Sequence, residues 1–313
     1  LPPGDFLSNQ IAELRSQGET ASLAKVEFLR QQFGFERPLI EQYAAWIGVW
    51  PGANGFSGLL QGDWGWSFQY DRPVADVVGD GLWLTLVLNF ATVLFIYLVS
   101  FPIGVLSATR QYSIADYGFT LLGYLGLATP NFLLGLILLY YGNLWFGLSV
   151  GGLMAPEFAD APWSVAKLQS VLAHLIIPVF VIGASGTAAM IRRLRANLLD
   201  ELQKHYVTTA RAKGLAPGKA LIKYPLRMAL NPFISDIGDL LPQMVSGSVI
   251  VSIVLNLPTV GPILLQALRA QDYYLSGFVL MFIAVLTVFG MLVSDLLLAV
   301  LDPRIRLQHR AAS

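Results

Sequence analysis

The sequence predicts an all-α membrane protein with five hydrophobic spans, preceded by a helical segment outside the membrane. Three observations lead there. The 313 residues are 55% hydrophobic and only 13% charged, against the roughly 25% charge of a soluble domain. Uncharged runs recur at the length of about 20 residues that a helix needs to cross hydrocarbon. Lys and Arg are concentrated in a few connecting stretches, as the positive-inside rule expects of loops on one side. The net charge is zero, with 20 basic and 20 acidic residues, so composition offers nothing for nucleic-acid binding. With no cysteine, a disulfide framework and a thiolate metal site are both excluded.

The chain opens "LPPGDFLSNQ", with no Met, basic n-region or apolar run, so membrane entry is expected to rely on later spans or on a segment ahead of Leu1. "NQIAELRSQGETASLAKVEFLRQQFG" carries Ile11, Leu14, Leu23, Val26 and Leu29 at helical spacing. "WIGVWPGANGFSGLLQGDWGWSF" follows, rich in Trp and Gly and suited to the membrane interface, with ligand stacking as the lesser reading. The spans are then Gly81 to Thr109, Tyr117 to Pro156, Leu168 to Ile191, Leu240 to Leu268 and Tyr273 to Ser294. The second is long enough for two helices, but one tilted helix before the loop Val150 to Trp163 is the simpler choice.

Orientation follows from the basic residues. Nine lie between Arg192 and Arg227, opposed only by Asp200 and Glu201, and Arg304, Arg306 and Arg310 follow Leu301. Five spans put these regions and Arg110 on one side, the cytoplasmic one. Residues 1–80, with ten acids against five bases, are then external (periplasmic), 81–302 form the membrane domain, and 303–313 a cytoplasmic tail.

No catalytic chemistry is expected. His174, His205 and His309 are too scattered for a His-rich metal motif, and His174 reads as a packed or hydrogen-bonded residue. No nucleophile elbow of the G-x-S-x-G type occurs. "GLAPGKA" (Gly214 to Ala220) imitates a phosphate loop but has three residues between its glycines instead of four, and Ala220 lacks the hydroxyl that would reach Mg²⁺.

The cytoplasmic loop 192–230 has internal order. "LLDELQKHYVTTARAKG" reads as an amphipathic helix through Leu198, Leu202, Tyr206, Val207 and Ala210, stopped by Gly214 and Pro217. "KALIKYPLRMAL" restarts a helix that Pro225 and Pro232 interrupt. The order is helix, Gly turn, helix: a rigid knob, or else a solvated basic loop that serves topology alone.

That layout resembles the cytoplasmic loop of permease subunits of binding-protein-dependent ABC importers, whose signature is E-A-A, three residues, Gly, nine residues, I-x-L-P. Thr208, Thr209 and Ala210 occupy the first three places, Gly214 the Gly and Leu226 the Leu, with Arg227 instead of the final Pro. "TARAKGL" followed by Tyr224, Leu226, Arg227, Ala229, Leu230 and Pro232 is similar to the dipeptide/oligopeptide/nickel branch, with Tyr224 and Met228 in place of its usual His and Asn. "GDWGWSFQYDRPVADVV", "SGSVIVSIVLNLPTVG" (Ser252 replacing a common Glu) and "LDPRIR" continue the likeness along the chain. "LPPGD" resembles the segment after that branch's first helix. The implied fold is the type I ABC importer transmembrane domain, with six spans natively and the first absent from this chain.

The resemblance implies a permease subunit that forms half of a channel for a solute, with di- or oligopeptides as the first reading, delivered by a soluble periplasmic or extracellular binding protein. A second homologous permease and two ATP-binding cassette subunits complete the assembly in a bacterial or archaeal cytoplasmic membrane. ATP and Mg²⁺ would belong to those subunits, with no cofactor or metal on this chain. Coupling would fall to Glu201, His205, Thr208, Thr209 and Ala210, with Arg211, Lys213, Gly214 and Leu215 at the turn. The route should run between spans, and polar residues there are candidates: Asn89, Thr129, Asn131, Ser185 and Thr187, then Gln243, Ser246, Ser248 and Ser252. Taken singly, each is more often a helix-packing contact than a pathway residue, since small polar residues let helices approach. Asp236, Asp239 and Asp295 cost more to bury and are functional or ion-pair candidates, Asp295 pairing with Arg304 or Arg306. An oligosaccharide or other small solute on the same architecture is the alternative. A secondary transporter or channel is the rival of another class; it would bring an inverted repeat and midplane charges that the sequence lacks.

Overall fold

The computed structural model describes residues 37–52, 55–146, 151–158, 161–162 and 164–301. The amphipathic reading of residues 11–29, the "LPPGD" and "LDPRIR" segments and any partner of Asp295 in the tail lie outside them, as do the side chains of Asp239 and Ser246. The chain forms two compact units, one joining the segment up to Leu84 with Thr259–Phe282, the other Thr85–Pro258 with the chain from Ile283.

In the first unit, α1 (Leu39–Ile47) ends at Gly48, whose φ of +97° closes the helix in a left-handed turn. A two-residue hairpin follows, β1 (Trp66–Ser67) antiparallel to β2 (Arg72–Pro73), with Asp71 at positive φ in its turn. Gly65, at φ +87°, lies against the Tyr274 ring, and a Cβ there would come within 2.6 Å of it. Trp64 stacks on Phe278 with ring centroids 4.4 Å apart. The Trp-rich segment therefore does more than anchor at an interface: one of its rings is packing inside the unit. The unit also contains α10 (Val260–Ala270) and the first turns of α11 (Tyr273–Leu301).

The helix α2 (Val74–Thr109) runs from the first unit into the second. The second unit is built on α5 (Val165–Leu202), against which α3 (Ile114–Ala128), α4 (Asn131–Phe146), α8 (Pro225–Ser235) and α9 (Ile237–Val254) all pack. Ser113 and Ser164 cap α3 and α5, each side-chain oxygen accepting from the backbone N–H three residues on, at 3.2 Å. Small residues let α2 come close: a Cβ on Gly183 would lie 2.8 Å from the Phe95 ring and 3.2 Å from Thr92.

Among the described residues three helices, α2, α5 and α11, are long and apolar enough to span a membrane, and α3 with α4 makes a fourth if the pair counts as one span. Their outward residues suit lipid, including Phe90, Leu98, Ile176, Val288 and Phe289, all exposed.

Two apolar runs differ from their simplest reading. The second is two helices bent by 102° instead of one tilted span. Thr129 is extended (φ −88°, ψ 120°) because the residue before a proline disfavours the helical region, and the Pro130 carbonyl then starts α4 by accepting from Leu133 and Leu134. The fourth run stops at Val254. Asn256 adopts φ +51°, and the Leu257 N–H bonds back to the Ser252 carbonyl at 2.7 Å, so the helix is capped before Pro258.

Candidate functional site

The basic loop folds as expected in outline and differs at one joint. Instead of one helix from Leu198 to Ala212, α5 ends at Leu202 and a separate α6 (His205–Ala212) starts after Lys204, which is extended (φ −67°, ψ 145°). Glu201 is thus on the last turn of α5, where its carboxylate accepts a hydrogen bond from the Tyr206 hydroxyl across the joint. The α6 C-terminus is a Schellman cap: Gly214 N–H bonds to Arg211 O at 2.9 Å and Leu215 N–H to Ala210 O at 3.2 Å, with Gly214 at φ +83°. Pro217 then opens α7 (Pro217–Lys223) at its first turn, where its missing N–H costs nothing.

The faces of this knob separate cleanly. Val207, Ala210 and Ala220 are buried and hold α6 and α7 on the unit. His205, Thr208, Thr209, Arg211, Lys213 and Gly214 are exposed, and Leu215 is half-buried. Thr209 returns its hydroxyl to the His205 carbonyl at 2.9 Å. Ile222 of α7 is 68% exposed, and Tyr206 and Tyr224 are also exposed large side chains of the knob. The proposed coupling residues therefore form one presented surface, Ala210 and Glu201 excepted, which serve the cap and the joint.

The arginines at the end of α5 have individual roles. Arg195 grips Asp116 of α3 in a bidentate pair, Nε to Oδ1 and Nη2 to Oδ2, both 2.8 Å. Tyr112 N–H also donates to Asp116 at 3.0 Å, so this 3%-exposed carboxylate is fully engaged. Arg192 lies over the Tyr124 ring, 5.9 Å from its centroid. Arg193 forms an ion pair with Asp236, the residue between α8 and α9. Residue type alone makes these arginines equivalent; in the fold Arg192 and Arg195 both fasten α3 to α5, while Arg193 ties α5 to the joint between α8 and α9.

A cavity of about 360 Å³ opens in the second unit among α2, α4, α5 and α9. It brings together Asn131, Ser185 and Gln243 of the expected route, and adds Arg193 and Asp236. Asn131 Nδ2 donates weakly to Ser185 Oγ at 3.4 Å. Asn89, Thr129, Thr187, Ser248 and Ser252 are not among its lining residues. Thr129 Oγ1 donates to its own helix at Leu125 O. Asn89 and Thr187 are buried elsewhere, and Ser248 and Ser252 are buried with interactions of their own. His174 is hydrogen-bonded as expected, with Nδ1 2.8 Å from the Ser170 carbonyl.

In the first unit, Asp272 is a residue that reading the sequence did not single out. It is fully buried, accepts from Ser67 Oγ at 2.6 Å and from Gln69 N–H at 3.1 Å, and caps α11 through Leu275 N–H at 3.3 Å. Tyr70 donates to Gln266 in the same unit; burial pushes its phenol above the ordinary range, Arg72 opposing and Asp272 adding. The only sequence cue was an Asp just before an apolar run, the ordinary signal of a helix N-terminus.

Residues 100–307 match the family model described as "Binding-protein-dependent transport system inner membrane component". The chain belongs to this family. The oligopeptide transport system permease protein AppB of Bacillus subtilis is 33% identical over 97% of this chain and 90% of its own length. The probable D,D-dipeptide transport system permease protein DdpB of Escherichia coli is 32% identical over 92% and 86%. The glutathione transport system permease protein GsiC of Escherichia coli K12 is 28% identical over 92% and 87%. Among solved structures, the inward-facing MetNI methionine ABC transporter superposes with a TM-score of 0.54 at 19% identity, covering 72% of this chain and 96% of that one. This likeness establishes the type I importer fold. The family's permeases are multi-pass membrane subunits, and the apolar helices agree with that.

Proposed function

We propose that this chain is one of two permease subunits of an ATP-driven importer for di- or oligopeptides. The α6–Gly214–α7 knob and the basic loop face the cytoplasm, where α6 docks on an ATP-binding cassette subunit that holds ATP and Mg²⁺. The first unit faces outward, where a soluble binding protein delivers the solute. The observation that carries this reading is the exposed, Gly-capped α6: an eight-residue helix fixed at both ends transmits displacement as a rigid body. Peptides as cargo are supported by the names of the relatives, AppB and DdpB among them.

Because the chain has no cysteine, single-cysteine variants test the docking directly. Thr208→Cys and Lys213→Cys are expected to form cross-links with an ATP-binding cassette subunit in the assembled importer, and Ile40→Cys of the first unit none. Proteoliposomes holding the importer and its binding protein should take up a labelled oligopeptide only with ATP inside the cytoplasmic face. Equal cross-linking from all three positions, or uptake independent of ATP, would sink the reading.

A further inference from the structure

We propose that Arg193 and Asp236 form a binding site for the two charged ends of a zwitterionic peptide in transit, Arg193 receiving the carboxylate and Asp236 the ammonium. The inference rests on the importer reading above and adds residues and ligand chemistry to it. Among the three α5 arginines, Arg193 is the one that lines the cavity. Arg195 is held at two nitrogens by a buried carboxylate and Arg192 by an aromatic ring. The Arg193 contact includes Nη1 to Asp236 Oδ2, and 48% of the Arg193 side chain is exposed against 15% for Asp236. Both members line the cavity, and the pair is therefore reachable from it.

The physical argument concerns what happens when the pair opens. Separating two partly desolvated charges leaves each without a counterion, which is costly. A zwitterion supplies both replacements at once: a carboxylate suited to the guanidinium fork, and an ammonium for Asp236. Net charge in the cavity is unchanged, and no charge is stranded. A neutral solute of equal size, such as a sugar, offers neither and leaves the pair shut. Two extended residues span roughly 7 Å, so admitting a peptide requires the long Arg193 side chain to swing away. Asn131, Ser185 and Gln243 then supply donors and acceptors for the peptide's amides, while Ile96 and Met190 give apolar walls. The cavity volume of about 360 Å³ is at the small end of ligand sites, suited to short peptides or to one end of a longer one.

The test uses the assembled importer in detergent, without its binding protein, so that any discrimination belongs to the membrane subunits. A tripeptide with free termini and a photoreactive side chain is cross-linked, and labelled segments of this chain are mapped. Labelling is expected on α4, α5 or α9. A free-ended tripeptide should displace the probe at least 10-fold better than the same tripeptide acetylated and amidated. The near-isosteric Arg193→Gln/Asp236→Asn double variant should lose at least 10-fold in labelling, its intact assembly being checked by co-purification of all subunits and a single size-exclusion peak. Equal displacement by the capped tripeptide, an experiment on the unaltered protein, would show that the pair is a structural strut and overturn the inference. If wild-type importer takes up the free tripeptide under ATP yet capping is without effect, the inference fails and the peptide-importer reading stands. If wild type neither transports nor is labelled by peptides, both fall.

Discussion

The cap at Gly214 is where a small perturbation should have the largest functional effect. Its φ of +83° is a conformation that L residues adopt at a cost of about 1–2 kcal/mol, and more when β-branched. A Cβ there meets no atom within 4 Å, so the cost expected of Gly214→Val lies in the backbone conformation and not in a Cβ collision. The strain acts on the two Schellman hydrogen bonds, Gly214 to Arg211 and Leu215 to Ala210. With only eight residues, α6 is far shorter than helices that persist alone, so it depends on that cap and on Val207 and Ala210. A loss of about 2 kcal/mol changes the population of the ordered knob by a factor of up to about 30. In proteoliposomes, Gly214→Val should sharply reduce ATP-driven uptake and binding-protein-stimulated ATP hydrolysis, with membrane insertion unchanged. Gly214→Asn should retain most of both, since Asn visits the left-handed region more readily. Wild-type uptake by the Val variant would refute the reasoning. Equal damage by Asn would mean that a partner needs the bare Cα surface and that conformation is not the cause.

Three further substitutions, with Gly218→Ala as a control, probe the remaining supports. Asp116→Ala strands Arg195 and the Tyr112 N–H; since Arg195 is partly exposed, the expected loss is about 2 kcal/mol, read as a lower midpoint in thermal denaturation of the purified subunit assembly. Asp272→Ala removes the α11 cap and leaves the buried Ser67 hydroxyl without its acceptor, costing about 2–3 kcal/mol; proteolysis should then begin within residues 37–73, and an unaltered cleavage pattern would contradict the role given to it. Gly183→Leu forces α2 away from α5 near Phe95 and should lower expression and detergent stability, whereas Gly218→Ala, facing open space, should not.

Much of the fold was legible because membrane helices announce themselves by length and absence of charge. The α2, α5 and α11 spans, the Gly214 stop and the Pro217 start all follow from local residue chemistry. Local reading failed where a helix break is written in one or two residues inside an apolar run. Thr129–Pro130 bends the second run, and Asn256 in a left-handed turn ends the fourth, although hydropathy passes through both unchanged. The site was legible by halves. The exposed surface of α6 was foreseen from its motif, since capping and amphipathicity are local. Of the polar span residues, Asn131, Ser185 and Gln243 gather in one cavity while Thr129 and Ser252 do not, and nothing in their residue types distinguishes the two groups.

By itself, the sequence determined that this chain is a multi-span helical membrane protein, where its loop carries charge, and which glycine ends α6. Those properties depend on the solvent each segment must satisfy and on dihedrals within a few residues. Only the tertiary structure decided which charges meet. Arg192, Arg193 and Arg195 are three positions apart at most, yet α5 turns 100° per residue and sends them to three different partners, Tyr124 and Asp116 at opposite ends of α3 and Asp236 between α8 and α9. A charge's partner is chosen by helix packing across many residues, and packing is the part of the fold that no short stretch of sequence contains.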